Sequence, residues 1–209
     1  MKSLFLFLMG IFGGIYLVNA QSFHGGVLAG FTETQVDGDT YGGYNKAGFQ
    51  GGVFVNTRLS DLFSAQLEIK YTGKGAKKPV SSSDPDVYTL TLHYIDMPLL
   101  ASVKVKNIGS VELGLIPAYL FSAQGEDNGG KFPSDYLVSF NKFDISTLIG
   151  ININLFPKLW MNLRYSYSLT SIRPEEYPNG YYTWFGKLFG QKTGQYNNCL
   201  LAGIYFQLK

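Results

Sequence analysis

The chain has 209 residues and a net charge of +2, with 45% hydrophobic, 16% aromatic and 15% charged residues. So few charges, against ~25% in soluble domains, together with 25 glycines and a mean hydropathy of +0.02, exclude a disordered chain, a coiled coil, a bundle of membrane helices and a basic nucleic-acid binder. What remains is a β-rich chain, long enough for one domain, that must satisfy two environments at once.

The N-terminus reads as a targeting segment. Met1-Lys2-Ser3 is a weakly basic start, Leu4 to Val18 is almost wholly apolar, and Val18-Asn19-Ala20 supplies small-residue cleavage chemistry before Gln21. This pattern predicts a secretory signal peptide over residues 1–20 and a mature domain over 21–209. The apolar run is shorter than the ~20 residues a membrane helix needs, and no comparable run follows. The single Cys199 has no partner for an internal disulfide and reads as a packed, inward-facing residue.

From there the chain alternates with a period of two, the signature of strands with two unlike faces. His24 to Thr32 is a Gly-rich first strand, and Asn45 to Asn56 places Ala47, Phe49, Gly51, Val53 and Val55 on one face. Phe63 to Tyr71 sets Phe63, Ala65, Leu67, Ile69 and Tyr71 against Ser64, Gln66, Glu68 and Lys70. Val87 to Val103 holds Leu90, Leu92 and Tyr94, and Pro98, which lacks the ladder N–H, predicts a bulge or a change of facing. Ser110 to Phe121 carries Val111, Leu113 and Leu115 against Glu112 and Gly114, with Pro117 disturbing the register. Ile145 to Leu155 and Leu159 to Leu169 are long apolar faces opposed by Asn152, Asn154, Asn162, Arg164 and Ser166, and Leu200 to Leu208 closes the set. That makes eight strands.

Three connections are short (near Leu59–Asp61, Val105–Gly109 and Phe156–Lys158) and four are long (Glu33–Tyr44, Gly73–Asp86, Ser122–Asn141 and Ile172–Gln195). A soluble β-sandwich also alternates. Here the apolar faces match the ~9–11 residues of a tilted membrane strand. Loop lengths alternate as in outer-membrane barrels, and the aromatics Phe31, Tyr71, Phe121 and Tyr167 fall near strand ends where girdles belong. The expected fold is therefore all-β: an eight-stranded antiparallel up-and-down transmembrane barrel, with short periplasmic turns, long extracellular loops and both termini in the periplasm.

Three segments resemble a known family. Tyr94-Ile95-Asp96-Met97-Pro98-Leu99-Leu100 looks like a Tyr-Leu-Glu-Ile-Pro-Leu-Leu segment, Glu112-Leu113-Gly114-Leu115-Ile116-Pro117-Ala118-Tyr119 is similar to a Gly-x-x-Pro-Tyr strand, and Leu163-Arg164-Tyr165-Ser166-Tyr167-Ser168-Leu169 looks like an Arg-Tyr-x-x-Gly-Leu strand. In this order they resemble the PorT-like outer-membrane β-barrel family of the Bacteroidetes. Two departures stand out: Tyr167-Ser168 replaces the usual small-Gly pair, and the chain ends Phe206-Gln207-Leu208-Lys209 rather than on an aromatic. The resemblance implies an integral outer-membrane location, and, from the member that named the family, an accessory role in type IX-like protein secretion with secretion-system proteins as partners.

A barrel of eight strands is filled by its own side chains. Parity puts Gln50, Gln66, Glu68, Lys70, His93, Glu112, Asp144, Asn152, Asn154 and Arg164 inside. Of these, Glu68, Lys70, Glu112, Asp144 and Arg164 form the candidate polar network, because buried charges must pair. Arg164 is expected near Asp144, with Glu112 and Glu68 as alternatives. A filled lumen argues for a non-enzymatic structural or accessory component and against wide diffusion. The two histidines, His24 and His93, fall in no Ser-His or paired-carboxylate pattern at one rim, which disfavours a lipid-modifying hydrolase. No metal-ligand spacing or phosphate loop calls for a cofactor. The aromatic loop from Ile172 to Gln195 offers Tyr181, Tyr182, Trp184 and Phe185 as a contact surface. The expected partners are outer-membrane lipid and lipopolysaccharide, with the barrel-insertion machinery during biogenesis and no nucleic acid.

Overall fold

A computed structural model describes residues 22–39, 41–79, 85–106, 109–133, 139–174 and 194–208. The signal-peptide segment and the aromatic loop residues Tyr181, Tyr182, Trp184 and Phe185 lie outside the described residues. Eleven strands follow in chain order: β1 (Phe23–Asp37), β2 (Lys46–Arg58), β3 (Phe63–Lys78), β4 (Tyr88–Asp96), β5 (Leu99–Val105), β6 (Gly109–Asp127), β7 (Gly130–Lys131), β8 (Phe143–Phe156), β9 (Leu159–Ser168), β10 (Arg173–Pro174) and β11 (Gly194–Gln207). The pairings are antiparallel, in the order β1-β2-β3-β4-β6-β8-β9-β11, and β11 returns to β1 from Gly26↔Gln207 to Asp37↔Tyr196. β4 and β5 are two halves of one stave, since both pair with β3 and with β6. Eight staves therefore close into a ring that has no unpaired edge, as a sheet in lipid must. The break falls at Met97-Pro98, where the expected proline irregularity occurs. The ladder is carried across it by Glu68 N–H to the Pro98 carbonyl (3.0 Å) and Met97 N–H to the Pro117 carbonyl (2.8 Å).

The outward face is apolar. Phe31 is 75% and Leu113 60% exposed to the surroundings, which would be untenable over so large an area in water and is burial in lipid. Rings meet along one rim: Phe49 and Tyr71 (4.7 Å between centroids), Tyr71 and Phe121 (6.2 Å), Tyr119 and Phe143 (5.3 Å). At the opposite ends of the strands Phe23, Phe63, Phe156 and Phe206 are exposed. On β1 the band runs from Phe23 to Phe31, the length of a tilted membrane strand.

The structure corrects the sequence reading in five places. Glu33–Asp37, Gly73–Lys78 and Ser122–Asp127, expected in long loops, continue β1, β3 and β6. Beyond the girdle the outward face can be polar, so the apolar alternation fades although the ladder continues. Leu90, Leu92 and Tyr94 are fully buried and point into the barrel, which turns His93 outward. The upper lumen is packed with apolar side chains, and the inside is the drier of the two environments there. His93 Nδ1 lies 2.7 Å from the Tyr71 hydroxyl, among the girdle rings. Tyr167, expected in the girdle, is buried and stacked on Tyr196 (6.3 Å).

Candidate functional site

Strand alternation aims one side chain in two at the lumen, and the most connected of them is Arg164 on β9. Its Nη1 and Nη2 donate to Glu68 Oε2 (2.9 Å) and Oε1 (2.8 Å) on β3, a bidentate fork. Nε donates to Glu112 Oε1 on β6, Nη2 reaches Glu112 Oε2 (3.2 Å), and Nη1 reaches the Tyr205 hydroxyl on β11 (2.7 Å). The carboxylates are met again from their other sides. Asn162 Nδ2 (2.7 Å) and Asn152 Nδ2 (2.9 Å) donate to Glu112, and Gln66 Nε2 (2.7 Å) and Tyr205 OH (3.1 Å) donate to Glu68. Lys70 Nζ stands 3.5 Å from Glu68 and donates to Gln50 Oε1 at 2.7 Å. Two cations thus face two carboxylates, all buried. Space for the guanidinium stem comes from Gly150, where a Cβ would lie 2.7 Å from Arg164 Cγ and 2.9 Å from Glu112 Oε1.

Toward the mouth a second cluster is arranged differently. Lys74 Nζ sits 3.1 Å from Asp96 Oδ1 and 4.5 Å from the centre of the Tyr94 ring. Asp144 accepts from Ser168 Oγ (2.7 Å), Thr170 Oγ1 (3.0 Å), Ser146 Oγ (3.2 Å) and Asn197 Nδ2 (3.2 Å), with no cation at ion-pair distance among the described residues. Thr72 Oγ1, Asp96 Oδ2 and Asn197 Oδ1 find no hydrogen-bond partner there. Cys199 is a buried free thiol, as its parity predicts.

Apolar side chains close both ends. At the turn end Phe54, Trp160, Tyr205 and Leu28 pack together, Phe54 to Trp160 at 5.2 Å and Trp160 to Tyr205 at 5.6 Å. Phe54 lies so close over Gly26 that a Cβ there would meet its ring at 2.3 Å. At the mouth Val36, Ala76, Tyr88, Leu90, Leu92, Leu120, Phe140 and Ile172 form the largest cluster, with Tyr41 and Phe132 packed on it.

Of the residues expected in the network, Glu68, Lys70, Glu112 and Arg164 converge. Asp144 does not join them and is not the partner of Arg164, whose place on the ladder is opposite Gly150. Its guanidinium reaches across the lumen rather than along its own hairpin. Sequence reasoning missed Lys74 and Asp96, although extending the parity of Glu68 and Lys70 past Thr72 reaches Lys74. It also missed Tyr205, hidden on the polar parity of an otherwise apolar strand. His24 lies at the turn end of β1 and His93 faces outward. Among the described residues no group of three or more His, Cys, Asp or Glu side chains is placed to hold a metal ion.

Residues 19–173 match the family described as outer membrane protein beta-barrel domain. No curated protein matches the sequence. Among solved structures the chain is similar to Ail, the attachment invasion locus protein of Yersinia pestis, at 12% identity, with 88% of this chain and 98% of Ail covered and a TM-score of 0.50. It is also similar to Neisserial surface protein A (NspA), at 13% identity, with 90% and 99% covered and a TM-score of 0.50. At such identities the likeness concerns the fold alone.

Proposed function

The chain belongs to the outer membrane protein beta-barrel domain family, and from that premise we propose that it is a sealed, non-enzymatic barrel serving the outer membrane as a structural or accessory component. The observation that carries this reading is the lumen. The Arg164–Glu68–Glu112 lock spans its width, and apolar clusters fill it on either side. A solute would have to break a paired, desolvated ion network to pass, at a cost of several kcal/mol. In the proposed orientation the short turns and both termini lie in the periplasm and the mouth cluster faces outside. Outer-membrane lipid and lipopolysaccharide are then the immediate surroundings. An accessory role in secretion has its support in the three resembling segments, and co-purification from native membranes in mild detergent tests it.

The direct test is liposome swelling. Vesicles carrying purified protein should swell in isotonic sugar no faster than empty ones, while unboiled protein migrates differently from boiled protein on a detergent gel. Rapid swelling at low protein load would overturn the sealed-barrel reading.

A further inference from the structure

Three basic side chains meet on the outer face at the mouth end of the barrel, directly above the ring ladder of the girdle. Lys77 of β3 is exposed and shares the outward parity of Tyr71, its neighbour Ala76 being the buried one. His93 faces outward on β4, opposite Gly73. Lys46 of β2 lies between them. The Thr34 hydroxyl is 3.3 Å from the Lys46 carbonyl and 2.9 Å from the Gly75 carbonyl, which sets Lys46 beside Gly75. Gly75 stands two residues from Lys77 and, across the ladder at Thr91, two residues from His93. Parity along β2 alone would turn Lys46 inward, with Gln50, but that side is closed. Thr32 and Thr34 of β1 donate directly to the Gly73 and Gly75 carbonyls of β3, and a Cβ on Gly48 would meet Thr32 Oγ1 and the Gly73 oxygen at 2.6 Å. Lys46 is half-exposed, and its electrostatic partners are those of the outer face: the charge of Lys77 acts on it, and its own acts on His93.

Like charges side by side on a sheet are destabilising, and no ion pair among the described residues includes Lys46 or Lys77. The acids at this height stand apart: Glu33 opposite Ala47 on the far side of β2, and Glu126 two staves from Lys77, with Lys131 opposite it. Directly below the cations are the rings of Phe49, Tyr71 and Phe121, with His93 6.0 Å from Phe121 between centroids. The Tyr71 hydroxyl engages His93 Nδ1 at 2.7 Å, which leaves Nε2 to meet a ligand. We propose that this cluster binds one phosphate of an outer-leaflet glycolipid, lipopolysaccharide, with Lys46 and Lys77 as its counter-charges and His93 Nε2 as a further contact. Ammonium groups bind phosphate as point charges, and basic side chains at the membrane surface select anionic headgroups. The rings below take the start of the acyl region, at the depth where aromatic belts sit. A free phosphate ion fits worse, since the rings offer it nothing. A second copy fits worse as well: a two-fold interface is self-complementary, and one centred here would set the same cations against each other.

This site rests on the membrane-barrel reading with the mouth outside, and the tests separate the two. The full chain is refolded into neutral detergent micelles containing either diphosphorylated lipid A or the same lipid dephosphorylated, checked for the heat-dependent gel shift, and examined by native mass spectrometry. The parent should retain one lipid A per chain, in preference to the dephosphorylated form by about fivefold or more. The double variant Lys46→Gln, Lys77→Gln should keep the gel shift and hold the two lipids equally. Lys104→Gln, at the turn end, should keep the preference, and millimolar inorganic phosphate should leave the lipid in place. A folded parent that retains neither lipid or holds both equally overturns the site while the barrel reading stands. So does a double variant that keeps the preference, a Lys104→Gln chain that loses it, or displacement by inorganic phosphate. Absence of the gel shift in the parent takes both down together. Lys77→Cys in intact cells checks the orientation, because Cys199 is buried: a membrane-impermeant maleimide should label it from outside, and labelling only after lysis would overturn this lipid as the occupant. Should the double variant fail to fold, Lys77→Gln alone, at an exposed position, supplies the same comparison.

Discussion

The two polar clusters inside the barrel use charge in opposite ways. Arg164 ties β9 to β3, which stands four staves away on the far side of the ring, and to β6 and β11 as well. The mouth-side cluster crosses the lumen only through neutral groups, Asn197 Nδ2 donating to the Tyr94 hydroxyl at 3.4 Å, and its charges stay along the wall. Asp144 on β8 takes its hydrogen bonds from its own strand, from the Ser168–Thr170 end of β9 and from β11, and Lys74–Asp96 joins the adjacent strands β3 and β4. A cross-lumen lock resists both flattening of the ring and entry of water, so each of its charges has several partners. The mouth-side charges span no such distance, and oxygens there, on Thr72, Asp96 and Asn197, find no hydrogen-bond partner, against Asn162 Oδ1 in the lock.

The largest expected effect is at the centre of the lock. Arg164→Ala leaves the buried Glu112 without its cation and Glu68 with Lys70 alone, and should lower stability by about 3–5 kcal/mol or more, read as the unfolding midpoint in detergent. Asp144→Asn keeps the volume and the surrounding hydroxyls and should fall far less. Equal losses for the two variants would erase the distinction between lock and wall.

A second comparison asks which cluster can be replaced. Lys74→Met strands Asp96 and should cost about 3 kcal/mol, whereas Lys74→Met with Asp96→Leu should recover most of the loss, since an apolar pair often substitutes for a buried ion pair. Arg164→Met with Glu68→Leu should show no such recovery, because Glu112 remains unpaired. Urea titrations of the four variants decide it, and a double variant at Lys74 and Asp96 no better than the single would count against the wall-side description.

A smaller effect is expected at Gly150. Alanine there meets Arg164 Cγ and Glu112 Oε1 and should cost about 1–3 kcal/mol by overpacking. At Gly51 the nearest atom to an added Cβ is the Leu28 carbonyl oxygen at 3.8 Å, so Gly51→Ala should be close to neutral. Matching midpoints would show that the lock has slack around the guanidinium.

The smallest effect lies outside the membrane band. Burial pushes the Asp39 carboxyl up from 3.8 to about 7, against the hydrogen bond it accepts from Tyr41 N–H, and the charge of Asp37 raises it further. The folded turn therefore holds a proton that the unfolded chain releases near pH 4. The contribution is full below that pH and lost as pH rises toward 7. Hydrogen exchange at residues 41–45 should quicken across this window beyond the intrinsic pH effect, and Asp39→Asn should abolish the excess. An unchanged profile in Asp39→Asn would remove the carboxyl from the explanation.

Alternation alone determined the eight staves, their antiparallel succession and which face of Phe63–Tyr71, Ile145–Leu155 and Leu159–Leu169 meets lipid. In the band the two faces see opposite solvents, and every second residue must report the difference. By the same parity Glu68, Lys70, Glu112 and Arg164 were legible as inward. Who pairs with whom was not. A hairpin suggests the neighbour, Asp144, but the stagger accumulated around a closed ring decides which side chains share a level, and it set Arg164 between Glu68 and Glu112. The same holds for β4, where Leu90, Leu92 and Tyr94 face inward and His93 outward. Above the girdle neither face meets lipid, so an apolar stripe no longer says which side it is on; the packed mouth of the barrel, assembled from β1, β3, β4 and β6 together with Phe140 and Ile172 from connecting segments, settles that choice.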